Sequence, residues 1–432
     1  MFSGDLSAWL AHLESLHASE IDLGLSRIAT VAKRLQLPLS PDQRFAKVIT
    51  FAGTNGKGST LAMTQAVLQA AGWRVGSYTS PHFLCFNERI QINGCPVDDA
   101  RLVNAFEQIE QARCAAGLAE VSLTYFEFAT LAALVIFSAA PLDVWLLEVG
   151  LGGRLDAVNL VDTDIAVITR LGLDHQAWLG DDLESIGREK AGILRPGIAV
   201  VLGDDQWPYS VLDQAAKLGC EIVQLGKAYT QQLDLADQWF WVKENQRVGP
   251  LPRPGLPLNN AATALQIVSL MGVTLEAQWL APVMQQVSLS GRMSRSGAWL
   301  MDVAHNPQAA KYLAEQLQRF PCRRLAVVGM MADKDIEATL EPLLPSISDW
   351  VCLSLPTPRA ASADQLAEVL RALGGTVVLI DEGDQASQAR AWIDQALAAQ
   401  HYDEVLVFGS FFTLALFPDK LPLLQEGSCA TG

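Results

Sequence analysis

Short apolar runs alternate with longer amphipathic stretches along most of the chain. Val48-Ile49-Thr50-Phe51-Ala52 is too short for a buried helix, is rich in strand formers, and stops at Gly53. Comparable runs recur at 75–78, 144–149, 165–168 and 198–202, with helical spacing between most of them, as at 98–115 and 125–139. This alternation predicts a mainly parallel sheet covered on both faces. Arg89-Ile90-Gln91-Ile92-Asn93-Gly94 reads as a short hairpin turning at Asn-Gly. The apolar region from Leu131 to Val149 is broken by Pro141 and Asp143, so it predicts a buried helix and then a strand, not a membrane span. The pattern changes over 231–257. There Trp239-Phe240-Trp241-Val242 predicts an antiparallel edge, Pro250-Leu251-Pro252-Arg253-Pro254-Gly255 a turn-rich loop, and Asn260-Ala261-Ala262 the start of a helix. A second alternating series follows Gly291-Arg292, with strands expected at 299–303, 325–329, 350–354, 376–380 and 404–408. It suits one more small α/β domain. The expected division is 1–288 and 293–432, with a hinge near 288–292.

Composition narrows the classes. A chain of 432 residues with 50% hydrophobic content has ample material for two cores. A net charge of −16 without any lysine/arginine block argues against nucleic acid as a partner. The seven cysteines are scattered and none form C-x-x-C, so neither a zinc site nor a disulfide framework is expected. The first residues lack the basic-then-apolar order of a signal peptide. A cytoplasmic monomer acting on small molecules, with no membrane partner, is the expectation.

The densest chemical signal is Gly53-Thr54-Asn55-Gly56-Lys57-Gly58-Ser59-Thr60, between the first strand and a helical pattern from Leu61 to Ala71. Glycines let backbone N–H groups converge on one anion, and the new helix adds its positive end. Lys57 would neutralise terminal phosphates, with Ser59 or Thr60 supplying a hydroxyl to Mg²⁺. The spacing is more compact than G-x-x-x-x-G-K-[ST]. The bland reading is a strand-to-helix turn that needs positive φ at its glycines. Other polar clusters follow apolar strands, where open α/β sheets bind ligands: Ser80-Pro81-His82, Glu148 to Asp156, and Leu173-Asp174-His175. Glu148 ends Val-Trp-Leu-Leu, so it needs either a metal or a salt bridge to a cation such as Arg154. His175 reads equally as a metal ligand or as a satisfied core or capping residue. Arg188-Glu189-Lys190-Ala191-Gly192-Ile193 is expected on or beside a helix start. Arg292 offers a fork of donors to phosphate, and Asp302-Val303-Ala304-His305-Asn306-Pro307 ends a strand, with Asn306 suited to cap a helix starting near Pro307.

These motifs, taken in order with Asn260-Ala261-Ala262 and Gly291-Arg292, resemble the folylpolyglutamate synthase family of the Mur-ligase superfamily from about Leu6 to Leu416. His17, Ile21-Asp22-Leu23-Gly24-Leu25 and Ser122-Leu123-Thr124-Tyr125-Phe126-Glu127 are similar to its bacterial bifunctional branch. The resemblance implies a two-domain α/β architecture: an N-terminal P-loop ATPase domain with a mainly parallel sheet, and a smaller Rossmann-like C-terminal domain. It implies that Gly53, Thr54, Asn55, Gly56, Lys57, Gly58 and Ser59 grip ATP, with Asn260, Arg292 and Asp302 also touching it. Ser80 and Glu148 would hold one Mg²⁺, and His175 a second near a carbamylated Lys190. Ile21, Asp22, Leu23, Gly24, Thr124, Tyr125, Phe126, Glu127, Leu155, Asp156 and Ala157 would form a pterin pocket. His305 and Ser410 would receive glutamate.

The implied reaction is ATP-dependent addition of L-glutamate to dihydropteroate and to the γ-carboxylate of reduced folates, through an acyl phosphate. Such phosphoryl transfer needs positioning and charge neutralisation more than a protein nucleophile; Lys57, His175, Lys190 and Arg292 would carry it. Three rivals remain at this stage: a monofunctional folylpolyglutamate synthase, a cell-wall amino-acid ligase of the same superfamily, and a nucleotide switch without ligase chemistry. Cell-wall ligases carry an extra N-terminal domain, for which the loop at Gly53 leaves little room. A mere switch gives no reason for a second α/β domain bearing Asp302 and His305.

Overall fold

The computed structural model describes residues 2–19, 21–383 and 385–421. The chain divides into two compact units, Met1–Val287 and Ser288–Gly432.

The first unit is built on an eight-stranded sheet. Its strands are β1 (Lys47–Ala52), β2 (Val75–Tyr78), β3 (Ile90–Ile92), β4 (Cys95–Pro96), β5 (Val144–Glu148), β6 (Ile165–Ile168), β7 (Ala199–Leu202) and β8 (Glu221–Gln224), in the order β4-β3-β2-β5-β1-β6-β7-β8. The six strands from β2 to β8 in that order pair in parallel, and β3 and β4 add an antiparallel edge. The expected hairpin turns where Asn93 and Gly94 take φ of 52° and 77°. Every residue of β5, β6 and β2 is buried, as a sheet covered on both faces requires. The apolar region at 131–149 resolves into the helix Tyr125–Ser138 and then β5. On that helix Phe128 is fully buried, edge-on to Phe106 and within 6.4 Å of Trp9 between ring centres. These aromatic contacts join the N-terminal helix Leu6–Ser15 and the helix Asp99–Arg113 to the sheet cover.

A separate three-stranded antiparallel sheet holds β9 (Thr230–Leu233), β10 (Trp239–Lys243) and β11 (Gln246–Leu251), in the order β11-β10-β9. Two expectations change here. The Trp239–Val242 run is the central strand, not an edge: Trp239 and Trp241 are buried on one face, while Phe240 on the other meets the Arg247 guanidinium 3.6 Å from its ring centre. Pro250 and Leu251 belong to a strand instead of a loop. The register shifts between Trp239 and Trp241, opposite Gly249-Pro250, so proline's missing N–H falls at the irregularity, where it disturbs the ladder least.

Among its described residues the second unit has six strands where five were expected: β12 (Ser294–Ser296), β13 (Trp299–Met301), β14 (Arg324–Val328), β15 (Asp349–Leu353), β16 (Val377–Asp381) and β17 (Glu404–Phe408), in the order β12-β13-β17-β14-β15-β16. The addition, β12, is an antiparallel edge made of Ser-Arg-Ser, which has no apolar signature. The other five pair in parallel. Both units are therefore α/β layers with their polar loops at the carboxyl ends of parallel strands, as the resemblance implied.

Replacing Phe128 by Ala removes the ring that the Trp9–Phe106 contacts are built on. Urea unfolding of the variant is expected to show a loss of about 3–5 kcal/mol, and an unchanged midpoint would contradict this account of the first core.

Candidate active site

The glycine loop follows β1 directly. Gly53 has φ of 149° and Gly56 has φ of 92°. A Cβ on Gly53 would stand 2.0 Å from Thr169 Oγ1, and one on Gly56 would stand 2.9 Å from Asn260 Oδ1. The bland reading is thus correct about backbone geometry and incomplete about packing, because both glycines also let a polar side chain approach closely. Asn260 comes from the first turns of the helix Leu258–Leu270, so the structure brings it to the loop. The end of β6 holds the loop from the other side. Thr54 N–H donates to Arg170 O at 2.7 Å, Thr54 Oγ1 to Gly172 O at 3.0 Å, and Thr169 Oγ1 to Asn55 O at 2.8 Å. The helix Lys57–Ala70 starts at the loop's lysine, with Gly58 and Ser59 in its first turn.

Two lysines meet the same acceptor. Lys57 Nζ donates to Gly53 O at 3.0 Å and Lys190 Nζ donates to it at 3.1 Å. Lys190 is buried. Burial, and then the charge of Lys57, push its amine down to about 7, against the opposing pull of Asp174 and Asp156. The segment 188–193 was expected on or beside a helix start: Lys190 ends the helix Leu183–Lys190, and a short 3-10 helix, Ala191–Ile193, starts directly after it. Asp182 caps its start by accepting from Ser185 N–H at 2.8 Å, and Arg188 and Lys190 sit in the last turn, where the helix dipole favours cations.

Ser80 follows β2 and Glu148 ends β5, on adjacent parallel strands. Ser80 N–H donates to Glu148 Oε2 at 3.3 Å, and Glu148 is buried. Arg154 does not serve Glu148; it forks onto Glu189 Oε1 at 3.1 and 2.9 Å. His175 lies on the loop after β6, with φ of 52° and its N–H on Asp174 Oδ1 at 2.8 Å. It is exposed, which removes the core reading, and it stands at the N-cap position of the short helix Gln176–Leu179, where its carbonyl accepts from Trp178 N–H at 2.9 Å and Leu179 N–H at 3.1 Å. A hydroxyl, a buried carboxylate and an imidazole at the carboxyl edge of one sheet suit Mg²⁺ or Mn²⁺. Among the described residues no cluster of three or more His, Cys, Asp or Glu side chains forms a closed cage. An ion that keeps several waters and binds nucleotide oxygens needs none.

The residues expected around a pterin fall into two groups. Residues 21–24 form an irregular loop that is tied to the start of the helix Tyr125–Ser138 by polar contacts. His17 meets Ser122 Oγ at 2.7 Å through Nδ1 and Asp22 Oδ2 at 3.1 Å through Nε2. Arg27 donates to Asp22 Oδ2 at 2.7 Å and to Glu127 Oε2 at 3.3 Å. Glu127 in turn accepts from Thr124 N–H at 2.8 Å, closing a capping box. Ile21, Leu23 and Gly24 ride on this loop, half-buried. The second group starts at Phe126, whose ring fills the place of a Gly150 side chain, 2.7 Å from where a Cβ would be. Beyond Gly150, Asp156 accepts from Leu151 N–H at 2.8 Å and Val158 N–H at 2.9 Å, and burial pushes its carboxyl up to about 6. Leu155 is half-buried beside it, and Ala157 is buried.

Two arginines were missed by sequence reasoning. Arg27 sits on a helix whose basic residues look solvated, and nothing in its neighbourhood signals two acidic partners. Arg89 was read only as part of a hairpin. It is buried, donates Nε–H to His82 Nδ1 at 2.8 Å, and lies 5.5 Å from the centre of the Tyr125 ring. Burial, then the Arg89 charge, pull His82 down to about 4, so its ring is neutral.

In the second unit, Arg292, Asp302, His305 and Ser410 gather around the ends of the paired strands β13 and β17. Asp302 accepts from Met293 N–H at 2.9 Å and from Ala304 N–H at 2.8 Å, and burial raises its pKa while Arg292 opposes the rise. His305 Nδ1 lies 2.8 Å from Val303 O, so it carries the proton and donates. The Arg292 guanidinium is 5.4 Å from the Phe411 ring centre, next to Ser410, whose Oγ accepts from Phe412 N–H at 3.2 Å. Asn306 caps the helix Pro307–Gln318 as expected, accepting from Ala309 N–H at 2.9 Å.

This arrangement matches known proteins over its full extent. Residues 51–248 match the Mur ligase middle domain, and residues 290–411 match the Mur ligase glutamate ligase domain. The dihydrofolate synthase/folylpolyglutamate synthase of Escherichia coli K12 is 42% identical over 428 residues, covering 98% of this chain and 97% of that protein. An E. coli enzyme solved with DHPP and ADP superposes with a TM-score of 0.86 at 40% identity, over 96% of this chain and 97% of the other. A bifunctional folylpolyglutamate synthase/dihydrofolate synthase solved with Mn, AMPPNP and L-glutamate gives a TM-score of 0.84 at 43% identity, over 95% and 97%. A compact phosphate loop, a Ser–Glu pair beside it and a glutamate-ligase unit after it thus come with near-complete sequence coverage, and the chain belongs to the dihydrofolate synthase/folylpolyglutamate synthase family of Mur ligases.

Proposed function

We propose that this chain is an ATP-dependent amide ligase that joins L-glutamate to dihydropteroate and to the γ-carboxylate of reduced folates, and that it works as a cytoplasmic monomer. The convergence of Lys57 and Lys190 on the Gly53 carbonyl, at a glycine loop next to the Ser80–Glu148 pair, carries this reading. The loop offers donors to a polyphosphate, and the adjacent strand ends offer oxygen ligands. The relatives solved with ADP, with AMPPNP and Mn, and with L-glutamate support ATP, a divalent cation and glutamate as the ligand set. Among the described residues no helix is long and apolar enough to cross a membrane.

The chain's residues divide the work by position. Residues 53–59 cradle ATP, and Lys57 exchanges Gly53 O for a terminal phosphate oxygen as the nucleotide binds. Asn260, beside Gly56, adds a contact to the nucleotide. Ser80, Glu148 and His175 hold Mg²⁺, which neutralises charge on the transferring phosphoryl group. The acid substrate's carboxylate oxygen attacks the γ-phosphorus, ADP leaves, and an acyl phosphate forms. The pteridine end is held by residues 21–24, 124–127 and 155–157. The glutamate amine, supplied beside His305 and Ser410, attacks the acyl carbon, an amide forms and phosphate leaves.

Lys190 is suited to carbamylation. Its neutral amine attacks CO₂, an N–C bond forms, one proton goes to solvent, and the amine becomes an anionic carbamate. Only the neutral amine reacts, and a pKa of about 7 leaves roughly half of it neutral at pH 7. An unshifted lysine would be almost entirely charged there.

Three outcomes check this account. ADP release from ATP and Mg²⁺ is expected to require glutamate together with dihydropteroate or tetrahydrofolate; release independent of the acid would refute it. Lys57→Ala is expected to lower kcat/KM by at least about 10³-fold with the fold intact by circular dichroism, because a charge-neutralising contact to the transition state is lost. With ¹³C-bicarbonate, wild type is expected to show a carbamate resonance that fades as pH falls below about 7 and is missing in Lys190→Ala. A resonance that persists in that variant would remove Lys190 from the reaction.

A further inference from the structure

Arg89 closes the single turn Phe86–Arg89, and its guanidinium is held by aromatic faces instead of an acid. It lies 5.7 Å from the centre of the Phe86 ring and 5.5 Å from that of Tyr125. The acids nearby are engaged elsewhere. Glu88 accepts from the N–H groups of Phe83, Leu84 and Cys85 at 2.7, 2.8 and 2.9 Å. Asp156 accepts from Leu151 and Val158, and Glu127 from Thr124 and Arg27. Arg89 spends its Nε–H on a neutral partner, His82 Nδ1, at 2.8 Å.

That contact fixes a tautomer. A guanidinium N–H only donates, so a proton on His82 Nδ1 would face another proton. Nδ1 must present its lone pair, and the neutral ring then carries its single proton on Nε2. Among the described residues nothing accepts from Nε2, although the ring is half-buried. The position of this donor matters. His82 follows Ser80 by two residues, and Ser80 N–H is bonded to Glu148. The Arg89 cation stacks near Tyr125, in the segment 124–127. His82 therefore belongs to the stretch of chain that links the phosphoryl-transfer end of the site to its pteridine wall.

We propose that His82 donates Nε2–H to an acceptor oxygen on the carbonyl or carboxylate of the pteridine acid, and that Arg89 is the positioning residue that forces the donor onto that edge of the ring. This inference rests on the substrate reading given above. A purely structural Arg89 would fill the space between Phe86 and Tyr125 and leave substrate affinity untouched.

The test uses full-length protein and two readouts. In uniformly ¹⁵N-labelled wild type, long-range ¹H–¹⁵N spectra, with His82 assigned by comparison with His82→Gln, are expected to show Nε2 protonated and Nδ1 bare at neutral pH. Arg89→Lys is expected to give a mixture of tautomers. In kinetics, Gln places an amide nitrogen where Nε2 was, whereas Asn reaches only as far as Nδ1. His82→Asn is expected to raise KM for dihydropteroate about tenfold, the worth of one hydrogen bond. His82→Gln is expected to stay within about threefold of wild type, with KM for ATP unchanged in both. Wild type that ligates a pteridine acid normally but shows a protonated Nδ1, or equal KM values for the Gln and Asn variants, would overturn the inference alone. Wild type that ligates neither dihydropteroate nor tetrahydrofolate would overturn the substrate reading and this inference with it. If neither variant folds, His82 is assigned sequentially from the backbone resonances of wild type, and the wild-type spectrum still decides the tautomer.

Discussion

Two ammonium groups sharing the carbonyl of Gly53 set the terms for the rest of the first unit. A backbone oxygen accepts both comfortably, but burial of Lys190 and, after it, the charge of half-buried Lys57 disfavour a second cation there. The structure resolves the conflict by letting one lysine give up its proton. The drop for Lys190 from 10.5 to about 7 is on the order of 5 kcal/mol against the charged form. Lys57, at the mouth of a helix, keeps the role of cation for a ligand. The geometry depends on Gly53, because any side chain there would collide with Thr169 Oγ1, and the loop could not lie against the end of β6. One glycine thus couples the fold to the protonation state of a lysine more than a hundred residues away.

The same constraint explains why the site sits where it does. Parallel strands buried on both faces leave no room for polar side chains within the sheet, so polar residues collect where the strands stop. β2, β5, β1 and β6 are neighbours, and their carboxyl ends and the loops that follow supply Ser80, Glu148, residues 53–59 and His175 in turn. The second unit repeats the logic on a smaller sheet. β13 and β17 pair, and the segments after them bring Asp302, His305 and Ser410 together.

Residues that end apolar strands were legible in the sequence because burial and polarity change at a single step. Glu148 after Val-Trp-Leu-Leu and Asp302 after Trp-Leu-Met are the clearest cases. The direction of the Lys190 helix was not legible, since a basic run marks a C-terminal turn only once the acidic cap at Asp182 is placed against it. β12 was invisible because Ser-Arg-Ser earns its place by pairing with β13, a non-local contact with no local pattern. Pro250 misled for a related reason: proline signals a loop unless a register irregularity absorbs it. The pairings of Arg27 with Asp22 and Glu127, and of Arg89 with His82, join residues 5 to 100 positions apart, and no periodicity encodes them.

These two arginines hold their neighbourhoods by opposite means. Among the described residues of the segments 17–19 and 21–24, the hydrogen bonds converge on Asp22, from His17 and Arg27, and Ile21 and Leu23 are only half-buried. What holds this loop is charge: the Arg27 fork joins Asp22 on the loop to Glu127 on a rigid helix cap. Ionic contacts of partly exposed groups are individually weak, so such a loop opens at far less cost than the core behind it. Arg89 is the opposite case, locked between aromatic rings on the rigid side. For the pteridine wall proposed above, one firmly oriented face and one face held by ion pairs would let a flat substrate enter and then be ordered, the fixed face setting its register and the weaker face closing to exclude water from an acyl phosphate that water would destroy.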